Sequence, residues 1–162
     1  MDAANFRFDT QYGPIYGYLT TNGLRELRLP DPENPIHPYL LHSRPNHILG
    51  RRLMQLLGDY FAGISVDLGE IPVDPGFGTP FQRAVWAAAR TIPYGKNVSY
   101  GELAVQSGAP GASRAVGSAL GRNPVCIVVP CHRVIAANGR LGGFAAGLDW
   151  KRRLLDLESA RG

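Results

Sequence analysis

The chain has 162 residues, 44% of them hydrophobic, and a formal net charge of +4 at pH 7. This composition is typical of a soluble globular protein with one core or two small lobes, and it excludes a largely disordered chain. No apolar stretch is long enough to cross a membrane, and the first residues lack the basic flank and apolar segment of an export signal. We therefore expect a cytoplasmic protein that does not contact membranes.

The charge is unevenly distributed along the chain. Residues 1–78 carry six arginines and nine acidic residues, whereas residues 79–162 carry 11 basic and four acidic residues. A basic half favours a polyanionic partner, of which nucleic acid is the commonest, but an ordinary solvated basic face would give the same balance.

The N-terminal part is predicted to begin with antiparallel sheet. Asn22-Gly23, the strongest short hairpin signal, separates strand-like runs at 15–19 and 27–29. A loop rich in proline and histidine follows over 30–47, and apolar residues then recur at helical spacing from Leu49 to Tyr60. We expect this helix to pack behind the sheet.

Residues 72–78 are predicted to be a connector between an N-terminal lobe, 1–71, and a C-terminal domain, 79–162. Thr79, Pro80 and Gln82 predict the start of a helix, because they supply an N-cap, a proline at the first helical position and a capping box. Trp86 on this helix is expected to pack in the core.

Two further helices form the outline of a helix-turn-helix. Ser99 and Glu102 make a second capping box for a helix to Gln106, and glycines at 108–111 separate it from a helix at 112–120. Many helical pairs without a nucleic-acid role share this outline. The second helix carries small residues, including Gly117 and Ser118, that allow close approach to another backbone.

The last segment, 149–158, is predicted to be an amphipathic helix. Trp150, Leu154 and Leu157 share one face, and the basic residues at 151–153 are expected to lie largely off it. Glu158 is either solvated or placed near His132, where it would fix the imidazole tautomer.

The two cysteines, Cys126 and Cys131, lie too close together for a disulfide framework, which favours reduced thiols. The chain has four histidines: His37, His42, His47 and His132. They lack the paired short spacings of a zinc site, so no metal is expected.

Cys131 is the best candidate for a reactive group. It follows Pro130 in an apolar run, 127–135, that resembles a strand, and it precedes His132 and Arg133. A thiol reacts as thiolate, and His132 is the nearest base. Because neighbours on a regular strand face opposite ways, direct contact between Cys131 and His132 is disfavoured. The alternatives are a cysteine hydrolase and a DNA-binding module in which Cys131 is a structural thiol.

Pro130-Cys131-His132-Arg133-Val134, preceded by Asn123-Pro124 and by the residues SYGELA at 99–104, resembles the O6-alkylguanine-DNA alkyltransferases. The resemblance covers about residues 79–158. It implies an α+β fold: a small N-terminal antiparallel-sheet-plus-helix lobe, then a mostly helical C-terminal domain with a helix-turn-helix and a short active-site strand. It also implies that the protein flips O6-alkylguanine out of duplex DNA and transfers the alkyl group irreversibly to Cys131, in a single turnover and without a cofactor. The C-terminal domain, 79–162, would thus bind DNA and accept the alkyl group. O4-alkylthymine is a further candidate substrate.

The resemblance also assigns the acid-base residues. His132 would act on Cys131 through a water, Glu158 would orient His132, and Asn123 would brace the turn before the active-site strand. Two acid-base tasks arise in such a transfer, because the thiol must lose a proton and neutral guanine leaves more readily than its anion. Arg133 is expected to brace the site through a carboxylate or carbonyl group.

For DNA recognition, the resemblance assigns Tyr100 to rotating the nucleotide and Arg114 to filling the vacated stack. Without the resemblance, an ordinary solvated arginine would be the favoured interpretation of Arg114. The helix bearing Gly117 and Ser118 would enter the minor groove, and the backbone at Cys131 and Val134 would contact the base.

The loop at 142–147 would close over the pocket. Its Phe144 and Ala145 replace a tyrosine and a serine of better-known members, which affects the expected alkyl range and rate. The protein is expected to be a monomer that can self-associate along DNA.

Overall fold

The structure, a computed structural model, describes residues 4–35, 47–74, 76 and 78–159. His37 and His42 of the proline- and histidine-rich loop lie outside the described residues, as does the side chain of His47. In the described ranges, no helix is both long and apolar enough to cross a membrane.

The N-terminal lobe contains a three-stranded antiparallel sheet with the order β1-β2-β3: β1 is Phe6–Thr10, β2 is Gly13–Thr20 and β3 is Gly23–Arg28. The hairpin predicted at Asn22-Gly23 joins β2 to β3. Strand β1 was not predicted, because only Phe6 and Phe8 carry its alternation. It pairs with β2 over its whole length, so its neighbour stabilises it more than its own pattern does.

Helix α1, His47–Phe61, packs on the sheet as expected. Leu53, Leu57 and Tyr60 are completely buried. The spacing of these residues, four and three apart, places them on one face of the helix, which explains why the helix forms against the sheet.

Helix α2, Pro80–Ala89, begins at the predicted capping box of Thr79 and Gln82, with both reciprocal hydrogen bonds present. Trp86 is buried, and its indole N–H donates to the Ala119 carbonyl at 2.8 Å. The tryptophan therefore ties α2 to the second helix of the helix-turn-helix, which confirms its predicted place in the core.

The helix-turn-helix consists of α3, Tyr100–Gln106, and α4, Ser113–Gly121. The predicted capping box of Ser99 and Glu102 starts α3. The final helix, α5, covers Leu148–Ser159. These elements confirm the predicted α+β class with its sheet-plus-helix lobe and helical C-terminal half.

The strand at the active site is shorter than the apolar run predicts. Strand β5 is only Val134–Ile135, paired in parallel with β4, Val98–Ser99. Cys131–Arg133 forms a short 3₁₀ helix, and Ile127 has a φ of 71°, which no regular strand accommodates. The expectation that Cys131 and His132 are neighbours on a regular strand is therefore wrong.

Asn123 explains this departure from a strand. Its side-chain oxygen accepts a hydrogen bond from the Val125 N–H at 2.9 Å, and its side-chain nitrogen donates to the Val129 carbonyl at 3.0 Å. The buried Asn123 amide thus bonds two backbone groups that would pair with a neighbouring strand in a sheet. It thereby holds residues 125–129 in a turn.

Candidate active site

Cys131 contributes to the wall of a cavity of about 610 Å³ between α3, α4 and the loop before α5. Six of the predicted site residues line it: Tyr100, Arg114, Gly117, Cys131, Phe144 and Ala145. Ser118, Asn123, His132, Val134 and Glu158 do not line the cavity; Asn123, His132, Val134 and Glu158 are buried behind it, whereas Ser118 is exposed on α4.

Cys131 is only 5% exposed, and its sulfur accepts a hydrogen bond from the Asn123 side-chain amide at 3.2 Å. Burial raises the pKa of the Cys131 thiol, although the Asn123 amide opposes this effect. The resting sulfur is therefore protonated at neutral pH, and it needs a base before it can act as a nucleophile.

His132 is completely buried and forms a short contact with Glu158, 2.7 Å between Nε2 and Oε1. An ionised carboxylate can only accept hydrogen bonds, so Nε2 carries the proton and Nδ1 keeps a lone pair. Within the described part of the chain, Nδ1 has no hydrogen-bond partner. Burial lowers the pKa of His132, which keeps the imidazole neutral and able to accept a proton.

Glu158 receives hydrogen bonds from several directions. Arg133 donates to it through Nε and Nη2, the latter at 2.8 Å, the Gly95 N–H donates at 3.3 Å, and Tyr60 donates at 2.9 Å. Burial alone would raise the pKa of Glu158, but the bonds from His132 and Arg133 outweigh it and lower the pKa to about 2. The carboxylate therefore remains ionised.

Arg133 also donates to the Ile92 carbonyl at 2.7 Å. It braces the site through both a carboxylate and a carbonyl, as the sequence predicted. Its guanidinium supplies the fixed positive charge that a buried carboxylate requires.

The prediction that Lys151 lies off the buried face of α5 is wrong. Lys151 is completely buried, and its ammonium group donates to the carbonyls of Val134 at 2.6 Å and Gly143 at 2.9 Å. The ammonium also lies 3.5 Å from the Tyr100 hydroxyl. Burial lowers the pKa of Lys151 to about 8.

A sequence signal for Lys151 did exist. Lys151 and Glu158 are seven residues apart, two helical turns, so a buried Glu158 implies a buried position at 151. The basic run at 151–153 hid this signal, since runs of charge usually mark a solvated face.

The predicted DNA-facing residues lie on or beside α4. Arg114 and Ser118 are exposed and one helical turn apart, while Gly117 lies next to the Tyr100 ring. Phe144 contacts His132 edge-on, with ring centroids 6.5 Å apart. The fold thus places the exposed face of α4 beside the cavity that contains Cys131.

No three His, Cys, Asp or Glu side chains group as metal ligands among the residues that the structure describes.

The chain is similar to known proteins over most of its length. Residues 80–160 match the family model of the 6-O-methylguanine DNA methyltransferase DNA-binding domain. A methylated-DNA–protein-cysteine methyltransferase of Mycobacterium tuberculosis is 46% identical over 158 residues, which are 94% of this chain and 90% of the relative. A methyltransferase of the same name from Salmonella typhimurium is 54% identical over 103 residues, 64% of this chain and 60% of that protein.

The chain is also similar to solved structures. The crystal structure of Mycobacterium tuberculosis OGT in complex with DNA has a TM-score of 0.80 and 42% identity, and the match covers 96% of this chain and 92% of that one. An O6-methylguanine DNA methyltransferase from Methanococcus jannaschii has a TM-score of 0.65 and 28% identity, with 95% and 93% covered. The chain belongs to the methylated-DNA–protein-cysteine methyltransferase family.

Proposed function

We infer that this protein repairs double-stranded DNA by moving the alkyl group of O6-alkylguanine irreversibly onto Cys131. One observation supports Cys131 as the acceptor. Cys131 lines a cavity beside α4, and the following residue, His132, forms a buried pair with Glu158. The thiol is consumed, so each molecule acts once.

The transfer begins with the thiol proton. The Nδ1 lone pair of His132 takes this proton through a bridging water, and the ionised Glu158 stabilises the imidazolium that results. The sulfur lone pair then forms a bond to the alkyl carbon while the bond between that carbon and guanine O6 breaks. Cys131 becomes a thioether. The leaving guanine takes up one proton from the Tyr100 hydroxyl, which regains a proton through water from the His132 imidazolium, so that the thiol proton ends on guanine.

Tyr100 is the proposed hydrogen-bond donor to the leaving base. Its hydroxyl is half-buried at the cavity, and burial raises the pKa of Tyr100, so it stays protonated. The Lys151 ammonium 3.5 Å away stabilises negative charge that develops on the phenol oxygen. Together the two groups help guanine to leave as a neutral molecule.

Arg114 is the proposed substitute for the flipped base. It is exposed near the start of α4 and also lines the cavity, so it can reach both the duplex and the space beside the extruded nucleotide. Base flipping costs a few kcal/mol, and a side chain in the gap offsets part of this cost. Gly117 and Ser118 let the helix approach the minor groove, and the backbone at Ala145, which lines the cavity, is proposed to contact the base.

We place the protein in the cytoplasm as a monomer that can self-associate along DNA, and O4-alkylthymine is proposed as a second substrate. The net charge of +4 supports phosphate contacts and an affinity that falls with salt.

The test is a single-turnover assay with excess duplex that carries one O6-methylguanine. We expect repair to stop at one lesion per protein, and Cys131→Ser to bind the duplex without repairing it. Continued turnover would favour a hydrolase, and binding without repair by the unmodified protein would favour a lesion sensor.

A further inference from the structure

The Oε1 atom of Glu158 is shared by side chains from two other parts of the fold. His132 and Arg133 come from the 3₁₀ helix that follows Pro130, and Tyr60 comes from α1 in the N-terminal lobe. The Tyr60 hydroxyl lies 2.9 Å from Oε1 and 3.5 Å from His132 Nε2. Tyr60 lies outside residues 80–160, the part of the chain that matches the family's DNA-binding domain.

Core packing explains the ring of Tyr60 but not its hydroxyl. The ring contacts Phe61 and Tyr94 edge-on and is completely buried, a role that phenylalanine would also fill. A buried hydroxyl requires a hydrogen-bond partner, and an ionised carboxylate offers only acceptors. The Tyr60 O–H therefore donates to Glu158, and it does so at the oxygen that His132 also uses.

Sharing this oxygen couples Tyr60 to His132. Each donor to Oε1 withdraws negative charge that would otherwise stabilise a proton on the imidazole. The charged groups around His132 are Glu158, which favours the imidazolium, and Arg133 and Lys151, which disfavour it. The Tyr60 hydroxyl also disfavours the imidazolium, because it draws negative charge from Oε1. It limits rotation of the Glu158 carboxylate as well.

We propose that Tyr60 is a positioning residue of the alkyl transfer: its hydroxyl sets the orientation and proton affinity of His132 through Glu158. The N-terminal lobe thereby contributes directly to the acid-base apparatus. The proposal rests on the function inferred above, in which a neutral His132 accepts the thiol proton.

Tyr60→Phe isolates the hydroxyl because it keeps the ring. The primary readout is the titration of His132, which is monitored by NMR of its imidazole nitrogens in the full-length protein. We expect the midpoint to rise by about half a unit or more, because Oε1 regains negative charge. Incorporation of 3-fluorotyrosine at position 60, a stronger donor with the same ring, should move the midpoint down.

Tyr16→Phe is the matched control. Tyr16 is a buried tyrosine of β2, and its hydroxyl accepts a hydrogen bond from Arg7 at 3.4 Å. Its loss should leave the His132 midpoint unchanged. A His132 midpoint that stays the same in Tyr60→Phe and with fluorotyrosine would overturn the proposal, whatever happens to thermal stability.

The second readout is the single-turnover rate of methyl transfer between pH 5 and pH 9. In Tyr60→Phe the acid limb should move to higher pH, so the loss of rate should be roughly threefold greater below the midpoint than on the plateau. A uniform loss at all pH values would indicate a merely structural role and contradict the proposal. If the unmodified protein transfers no methyl group, the inferred function fails, whereas the NMR titration still decides whether Tyr60 controls His132.

Discussion

Three neighbouring side chains at the site are held in different protonation states by their surroundings. Burial keeps Cys131 a thiol and His132 a neutral imidazole, whereas hydrogen bonds from His132 and Arg133 keep Glu158 ionised against the effect of burial. The resting site therefore contains an unreactive nucleophile beside an available base. Such an arrangement protects the thiol until a substrate enters the cavity.

Glu158→Gln should destabilise the protein by about 3–5 kcal/mol at pH 7, because it leaves the buried Arg133 without its ion partner. The pKa of Glu158 is about 2 in the fold against an ordinary 4.5, so its ionisation stabilises the fold above pH 4.5. This contribution is lost as the pH falls from 4.5 through 2.

Urea unfolding at pH 7 and pH 3 measures both effects, and the difference between wild type and Glu158→Gln should shrink at the lower pH. Glu70→Gln is the control, because Glu70 makes its ion pair with Arg52 at the exposed surface. A constant difference at both pH values would contradict this assignment of charge.

Asn123→Ala should slow alkyl transfer by about 10-fold to 100-fold. The variant removes the amide that donates to the Cys131 sulfur, and a hydrogen bond to a charged group contributes about 1.5–3 kcal/mol. The rate of thiol alkylation by iodoacetamide, measured against pH, should show a higher midpoint. Asn138→Ala, in an exposed turn where its side chain accepts from the Arg140 N–H, should react like wild type, and equal rates for both variants would exclude the role of Asn123.

At the scale of elements, local sequence signals predicted the helices, whereas tertiary contacts determine the conformation of the turn before Cys131. The capping boxes at Thr79 and Ser99 mark the starts of α2 and α3, because caps are satisfied within four residues. The turn before Cys131 depends on Asn123 reaching backbone groups two and six residues away. An apolar β-branched run gives no sign of such a contact, so the sequence predicted a strand.

The site was predicted from its residue types only in part. The resemblance placed Cys131, His132, Asn123 and Glu158 in one site, and the structure brings them together. Lys151 and Tyr60 were missed, since a lysine in a basic run and a tyrosine on an apolar helix face both suit ordinary structural positions. Their significance becomes visible only when α5 and α1 pack against the active-site turn.

Gly142→Ala tests how the loop before α5 positions Tyr100. Gly142 has a φ of +71°, and a Cβ there would lie 2.5 Å from the Tyr100 hydroxyl oxygen. We expect Tyr100 to be displaced and the transfer rate to fall at least about 10-fold, as a misplaced donor loses its hydrogen bond to the base. The assay is single-turnover transfer with saturating duplex.

Gly139→Ala is the control for backbone strain. Gly139 has a φ of +81°, but a Cβ there would meet nothing within 4 Å. Its rate should stay near that of wild type, and an equal loss in both variants would mean that strain in the loop, not contact with Tyr100, causes the effect.

At the scale of the whole molecule, hydrogen bonds at several places link the N-terminal lobe to the rest of the chain. Asp74 accepts hydrogen bonds from Thr20 at 2.6 Å and Arg25 at 2.8 Å. The Trp150 indole donates to the Pro30 carbonyl at 3.0 Å, and Tyr60 donates to Glu158. The N-terminal lobe is therefore fixed to the connector, to α5 and to the active site.

Alkylation of Cys131 should destabilise this assembly. The sulfur is buried and accepts a hydrogen bond from the Asn123 amide, so a methyl group added there crowds this contact, and overpacking typically costs about 1–3 kcal/mol. For a protein of this size, each kcal/mol lowers the melting temperature by about 2–4 °C. Thermal melts of the methylated and unmodified proteins should differ accordingly, and identical midpoints would show that the cavity has room for the product.

The central claim is that Cys131 itself accepts the alkyl group, and intact-protein mass spectrometry tests it most directly. The protein is incubated with duplex DNA that carries one O6-methylguanine, and its intact mass is measured. Peptide mapping then locates the modified residue. A mass gain of one methyl group, located on Cys131 and saturating at one per protein, is the expected result. An unchanged mass while the lesion disappears or remains bound, or a methyl group on Cys126, would contradict the account.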